Sequence, residues 1–383
     1  MQKSYLMAPG PTPVPEQVAL RMAAPAIHHR TPQFSRLFRE THEGLKYLLQ
    51  TENDVLMLAS SGSGAMEGAV VNAMSSSEKA IVINGGKFGE RWGKICEAYG
   101  LEVLWLNYPW GAPADPAQVE ELLLQHENVG AVFVQACDTA STVAHPVACL
   151  GKLVQKHPRT LLVVDGITAV GAADIAMDRD GIDMLLVGSQ KALMLPPGLA
   201  CVGVSTKAWE KISQSDMPRF YFDFQKERKA LAKDTTAYTP AASLITGLHE
   251  VLAMIRQEGL AHLHKRTELL ARAARAGLQA LGLELLAPAA PAASCSGARL
   301  PESLDGKALV RYLRDTMGVT VAGGQDHLEG KIIRINHMGY VDSFDIVTAL
   351  AALEMALHRF GQPVKLGQGV AAAQEILLER YPS

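Results

Sequence analysis

From Val55 to Val204 the chain alternates short, wholly apolar runs with glycine-rich turns and helix-length stretches. The runs Val55–Ala59, Ala80–Ile83, Val103–Leu106, Ala131–Gln135, Leu161–Val164, Met184–Val187 and Ala200–Val204 predict strands. Between them, Ala65–Met74, Phe88–Ala98 and Pro116–Gln125 predict helices. Strands that are apolar at nearly every position are covered on both faces, so this stretch predicts a parallel or mixed sheet between two helical layers. In such sheets ligands bind beyond the carboxyl ends of the strands.

The flanks read differently. Residues 1–15 hold a Pro-Gly-Pro-Thr-Pro run and are expected to be irregular, because proline lacks a donor and fixes φ. Helical spacing then runs from Gln17 to Ala23 and from Phe34 to Leu49. After Thr246 the character changes. Leu244–Leu281 is a long Ala/Leu/Arg-rich helical stretch with bends expected at Gly247 and Gly259, and residues 287–293 form an Ala/Pro loop. A helix at Lys307–Met317, strands near Val319–Ala322 and Ile332–Ile335, and helices at Phe344–Phe360 and Leu366–Leu378 complete the chain. The expected plan is an α/β chain with an irregular segment 1–15, a large domain 16–257 and a small α+β domain 258–383.

Composition narrows the classes. Of 383 residues, 48% are hydrophobic and 20% charged, enough apolar surface for a large core, and the formal net charge is −3. No basic run suggests a nucleic-acid or membrane surface, and no apolar run is long enough to span a bilayer. The start is too short and broken for a signal peptide, and Tyr381-Pro382-Ser383 is not a peroxisomal address, so a cytoplasmic location is expected. The five cysteines show no CxxC spacing and read as free thiols. No metal site is expected: His28 and His29 are adjacent, and neighbours on regular structure point apart.

Three strand-end segments carry chemistry. Lys191 follows the apolar run Met184–Val187. Desolvation there disfavours the ammonium form and frees the lone pair to attack an aldehyde, although taken alone the residue reads equally well as an exposed loop lysine. Asp165 ends Leu161–Val164, where a carboxylate either caps the next helix or faces a pyridinium nitrogen. Ser60–Gly64 joins a strand to a helix start with backbone N–H groups and hydroxyls that suit a phosphate. Its spacing is neither the dinucleotide glycine pattern nor a Walker loop. Aldehyde-binding lysine, facing acid and phosphate turn together are the set that pyridoxal 5'-phosphate (PLP) chemistry needs.

At these residues the sequence resembles the class V PLP-dependent aminotransferases, in the alanine–glyoxylate/serine–pyruvate branch. The matching stretches are Ala8-Pro-Gly-Pro-Thr-Pro13, Ser61-Gly-Ser-Gly-Ala-Met-Glu67, Gly85-Gly-Lys-Phe-Gly89, Asp138-Thr-Ala-Ser-Thr142, Val164-Asp-Gly166, Gly188-Ser-Gln-Lys-Ala192 and Lys331-Ile-Ile-Arg-Ile-Asn-His-Met-Gly339. They run in the family's order over nearly the whole chain. The resemblance implies the type I PLP-dependent transferase fold and a ping-pong transamination between a small amino acid, alanine or serine, and an oxoacid, glyoxylate or pyruvate. It implies that Lys191 forms the Schiff base and shuttles a proton, and that Asp165 pairs with the pyridine nitrogen. Phe88 would stack on the ring, with Ile167 on its other face, and Thr139 would bond the ring oxygen. Ser61, Gly62, Ser63 and Gln190 would hold the phosphate. Arg334 would grip the substrate carboxylate, with Gly10 passing close by. The resemblance also implies a homodimer in which the segment Thr235–Pro240, through Thr239, reaches the partner's phosphate.

Two departures stand out. The family often has Thr-Ser-Thr-Gly where this chain ends its turn in Thr142, and Thr-Pro-x-Thr-Pro where this chain has Thr236-Ala-Tyr-Thr-Pro240. Aspartate, aminoethylphosphonate and ureidoglycine donors stay open, as does the reading of a non-catalytic subunit of a complex. Cysteine desulfuration needs a mobile activated thiolate, and Cys295, the one cysteine in an Ala/Ser/Gly-rich stretch, is expected to have no basic neighbours.

Overall fold

The structure, a computed structural model, describes residues 3–381; the first two residues of the N-terminal segment and the Pro382-Ser383 end of the chain lie outside it. Among the described residues seven strands form the main sheet, in the spatial order β2 (Asp54–Leu58), β10 (Ala200–Val204), β9 (Met184–Gly188), β8 (Leu161–Asp165), β5 (Val129–Gln135), β3 (Lys79–Asn84) and β4 (Glu102–Asn107). Strands β4, β3, β5, β8 and β9 run parallel. Strand β10 runs antiparallel to both β9 and β2. Two reversals restore direction, so Leu58 and Gly188 both stand opposite Ala200 and the chain leaves β2 and β9 at the same edge of the sheet. At that edge Asp165 pairs in register with Gln135 and Leu186.

Side chains alternate along these strands into two apolar layers. Leu162 and Val164 of β8 join one, with α2 (Pro32–Leu49), α5 (Pro116–Gln125), α6 (Val147–Val154) and α9 (Ala242–Glu258). Leu161 and Val163 join the other, with α3 (Gly62–Ala73), α4 (Lys87–Ala98), α7 (Thr206–Gln214) and α8 (Phe224–Leu231). Local chemistry sets the helix starts. Thr31 caps α2 with Pro32 at its first position, and Asp115 caps α5 ahead of Pro116.

A third apolar cluster lies beyond α9, among α10 (Leu260–Ala280), α11 (Gly306–Asp315), α12 (Ser343–Arg359) and α13 (Gln368–Leu377). These cover a three-stranded antiparallel sheet of order β11-β14-β13, with β11 (Cys295–Arg299), β13 (Ala322–Gly323) and β14 (Ile332–Asn336). Of the two expected bends, Gly259 is real: its φ of +79° ends α9. Gly247 does not bend α9; it lies within the helix, where a Cβ would come within 2.7 Å of Leu195 and 2.6 Å of Met22.

Several expectations are corrected. The N-terminal segment is not wholly irregular, since β1 (Tyr5–Leu6) pairs in parallel with β12 (Val319–Thr320). The single strand expected at Val319–Ala322 is therefore two, β12 and β13, serving different sheets. His28 and His29 do not point apart: they lie in the loop before α2, outside regular structure, and their rings stack at 4.8 Å. Among the described residues no helix is long and apolar enough to cross a membrane.

Candidate active site

The strand edge that carries Asp165 and Gly188 opens into a cavity of about 210 Å³. Four segments supply its walls. The turn after β2 gives Ser61, Gly62 and Ser63; the start of α4 gives Phe88; the tips of β8 and β9 give Asp165, Ile167, Gln190 and Lys191. Eight of the residues expected from the sequence are thus brought together.

Lys191 stands in a turn built to hold it. Ser189 Oγ donates to Pro196 O at 2.7 Å and accepts from Leu199 N at 3.3 Å, closing the loop that begins at Gly188. The N-terminal segment then straps the turn from outside. Thr12 Oγ1 donates to Lys191 O at 2.7 Å, and Thr12 N donates to Gln190 O at 3.1 Å. Lys191 Nζ donates to Pro9 O at 2.6 Å. Gly10 follows with φ +110°, and a Cβ there would sit 2.2 Å from Nζ, so the close approach needs glycine. Lys191 is 9% exposed, and burial pulls its ammonium below the ordinary lysine value, opposed by neighbouring thiols and Asp165.

Asp165 is buried, and its Oδ1 accepts from Ile167 N at 2.9 Å. Burial pushes its carboxyl up to about 6; Asp138 adds to the rise, while the Ile167 N–H, Lys191 and Arg91 oppose it. A buried acid with one hydrogen bond lacks a full counter-charge, and a protonated ring nitrogen supplies one. Gly62 packs against Ile167, where a Cβ would meet Cδ1 at 2.4 Å. Phe88 is fixed by Asp138, whose carboxylate accepts from Phe88 N at 2.9 Å and Gly89 N at 3.3 Å. These features fit PLP: an amine whose charged form burial disfavours, an acid awaiting a cation, a flat aromatic wall, and a helix N-terminus flanked by hydroxyls.

Arg334 enters from the third cluster. It sits on the central strand β14, opposite Gly297 and Ala322. Its Nε donates to Gly323 O at 2.9 Å and its Nη1 to Thr139 O at 2.7 Å. Thr139 therefore meets the site through its carbonyl, and its side chain does not line the cavity around Lys191. Thr142, where a glycine was expected, keeps a left-handed backbone at φ +56°, a strained conformation for a β-branched residue. Thr239 does not line this cavity; it is exposed, beside Tyr238 and Tyr221 in a separate surface pocket.

Cys295 requires a correction, for it does have basic neighbours. The Cys137 thiol facing it draws it below the ordinary thiol value, and the charges of Arg334 and Lys191 act in the same direction against burial. The pairing of β11 with β14 causes this, placing Cys295 two positions along the ladder from the residue facing Arg334. Cys295 is nonetheless fully buried within a strand, unlike a thiolate on a mobile loop. Sequence reasoning also missed Met66, Arg91, Cys137 and Thr168, which line the cavity. Arg91 had a usable signal, because it follows Phe88 by three positions on a predicted helix.

A family model described as aminotransferase class V matches residues 4–341, and the chain belongs to that family, whose enzymes depend on PLP. Its curated relatives include a protein named soluble hydrogenase, small subunit, from Synechococcus sp., 40% identical over 98% of both chains. They also include an L-aspartate–glyoxylate aminotransferase from Paracoccus denitrificans, 35% identical over 97% of this chain and 95% of that one. Among solved structures, a ureidoglycine–glyoxylate aminotransferase from Bacillus subtilis superposes with a TM-score of 0.94 at 25% identity, covering 98% of both chains.

Proposed function

We propose that this chain transfers an amino group from a small amino acid, alanine or serine, to glyoxylate or pyruvate, the two half-reactions alternating at one site. The observation that carries this reading is the enclosure of Lys191 and Asp165 in one cavity beside the Ser61–Ser63 turn. PLP, when bound, supplies the electron sink that makes the donor's α-proton removable. Lys191 would hold the cofactor's aldehyde carbon through its Nζ and, once the donor amine has taken its place, the released amine would carry that proton, with Pro9 O orienting it. Asp165 holds the ring nitrogen protonated, and Phe88 and Ile167 sandwich the ring. Thr139 is assigned to the ring oxygen, although its carbonyl rather than its hydroxyl is engaged here. Ser61, Gly62, Ser63 and Gln190 hold the phosphate.

Arg334 receives the substrate carboxylate. Among the described residues its Nη2 has no hydrogen-bond partner, so the hydrogens of that nitrogen are available to an anion. Gly10 keeps the backbone close to Nζ without filling the substrate's space. Glyoxylate as acceptor is supported by the names of two of the relatives above. Half-reactions of the PLP form with a panel of amino donors test the assignment: alanine or serine should react fastest, and a marked preference for aspartate or ureidoglycine overturns it.

The same reading includes a two-fold homodimer in the cytoplasm. It is supported by exposed Phe220 and Tyr221 beside the Thr235–Pro240 segment, and by five free cysteines. A large domain 16–257 and a small domain 258–383 complete it, supported by the helix break at Gly259 and the separate third cluster.

A further inference from the structure

Arg91 stands on α4 one turn after Phe88, its Cζ 4.9 Å from the centre of that ring. Its Nη1 donates to Ser63 Oγ at 2.9 Å. A serine hydroxyl has one hydrogen to give and two lone pairs to receive with. Because Ser63 Oγ accepts from Arg91, its own hydrogen is left to point elsewhere, and both residues line the cavity that holds Lys191. Charge leads to the same place. A phosphate monoester near neutral pH carries about 1.5 to 2 negative charges. The N-terminus of α3 offers roughly half a positive charge. Among the described residues, Lys191 and Arg91 are the cations in the cavity wall, and Lys191 is assigned to the opposite, aldehyde end of the cofactor.

We propose that Arg91 is a positioning residue for the cofactor phosphate: it turns the Ser63 hydroxyl into an outward donor and supplies the positive charge that the α3 N-terminus lacks. The alternative is that Arg91 acts on the ring alone, by packing on Phe88. The proposal rests on the placement of the phosphate at the Ser61–Ser63 turn, and the experiment separates the two claims.

Apoprotein is titrated with PLP and with pyridoxal, which has the same ring and aldehyde but no phosphate. In Arg91→Gln, PLP affinity should fall about ten- to hundredfold, as expected for a lost charge-assisted bond, while pyridoxal affinity stays within about twofold. Retained pyridoxal binding also shows that the variant folds. Arg91→Lys should recover part of the loss. Ser63→Ala should cost less in the Arg91→Gln background than alone, since the two groups act as a pair. If PLP and pyridoxal weaken equally in Arg91→Gln, or neither changes, the proposal is overturned. Ser61→Ala tests the placement beneath it. A reduced preference for PLP in Ser61→Ala but not in Arg91→Gln overturns the role of Arg91 alone. An unchanged preference in both overturns the phosphate placement and the role of Arg91 with it.

Discussion

The tips of β8 and β9 and the three-stranded sheet around β14 reach the same site by opposite routes. In the first region each strand is buried on both faces, and the chain leaves it through a turn of a few residues. Asp165 and the turn that carries Lys191 are therefore shaped by neighbours close in sequence, Ile167 for one, Ser189 and the Pro196–Leu199 turn for the other, and only the strap from Pro9 and Thr12 reaches the lysine from far along the chain. In the second region nothing local aims the side chain. Arg334 is held by Gly323 O and by Thr139 O, the latter 195 positions away, and its strand is flanked by β11, whose residues are mostly small. The contrast is a division of labour: a largely locally encoded end around Asp165 and Lys191, and an end around Arg334, the proposed substrate-carboxylate site, that exists only once distant parts of the chain have packed.

If that division holds, the two ends should fail separately. The largest effect is expected for Arg334→Lys, which keeps the charge but loses the planar fork. The kcat/KM for the amino donor should fall about 10²-fold or more, consistent with a buried charged contact worth about 2–5 kcal/mol, while the PLP content of purified enzyme stays full. Loss of PLP along with activity would merge the two regions into one.

Asp165 should show an intermediate effect, in stability rather than turnover. Its carboxyl is raised from an ordinary value of 3.8 to about 6, so the folded apoprotein binds this proton more tightly than the unfolded chain. The resulting stability is complete below about pH 4 and is lost as pH rises through 6. The loss is about 2–3 kcal/mol, from 1.36 kcal/mol per pKa unit. Urea unfolding of apoprotein at pH 4.5 and pH 8 should reveal this slope, and Asp165→Asn should flatten it. An equal slope in the variant would assign the effect to other groups. The smallest effect belongs to the strap: Thr12→Val removes the buried bond to Lys191 O and should lower stability by about 1 kcal/mol in the same unfolding experiment. A stability loss below a few tenths of a kcal/mol would mean that the N-terminal segment lies on the lysine turn without securing it.

The two regions also differed in how far the sequence revealed them. Runs such as Leu161–Asp165 and Met184–Gly188 carry their burial in every residue, so strand, edge and turn were all readable. The small residues of Ser60–Gly64 marked a helix start that could face an anion, although α3 begins inside that stretch, at Gly62, with Ser61 as its cap. By contrast, β11 is Cys-Ser-Gly-Ala-Arg, without a β-branched or aromatic residue, and is a strand because β14 pairs with it. That pairing is non-local, which is why Cys295 could not be seen beside Cys137, Arg334 and Lys191. The helices α6, α7 and α8 went unread as well; α7 and α8 are short polar helices that owe their place to packing on the sheet. Pro9 and Thr12 were recognised as part of a motif, but their grip on Lys191 spans about 180 positions and has no local signature.

The central claim is that the amine of Lys191 holds the cofactor. Borohydride reduction of the PLP-loaded protein followed by peptide mass mapping tests it directly. The account predicts one pyridoxyl group per chain, on the peptide containing Lys191, and none in Lys191→Ala. A modification carried by a different lysine, or full retention of the adduct in Lys191→Ala, would contradict it.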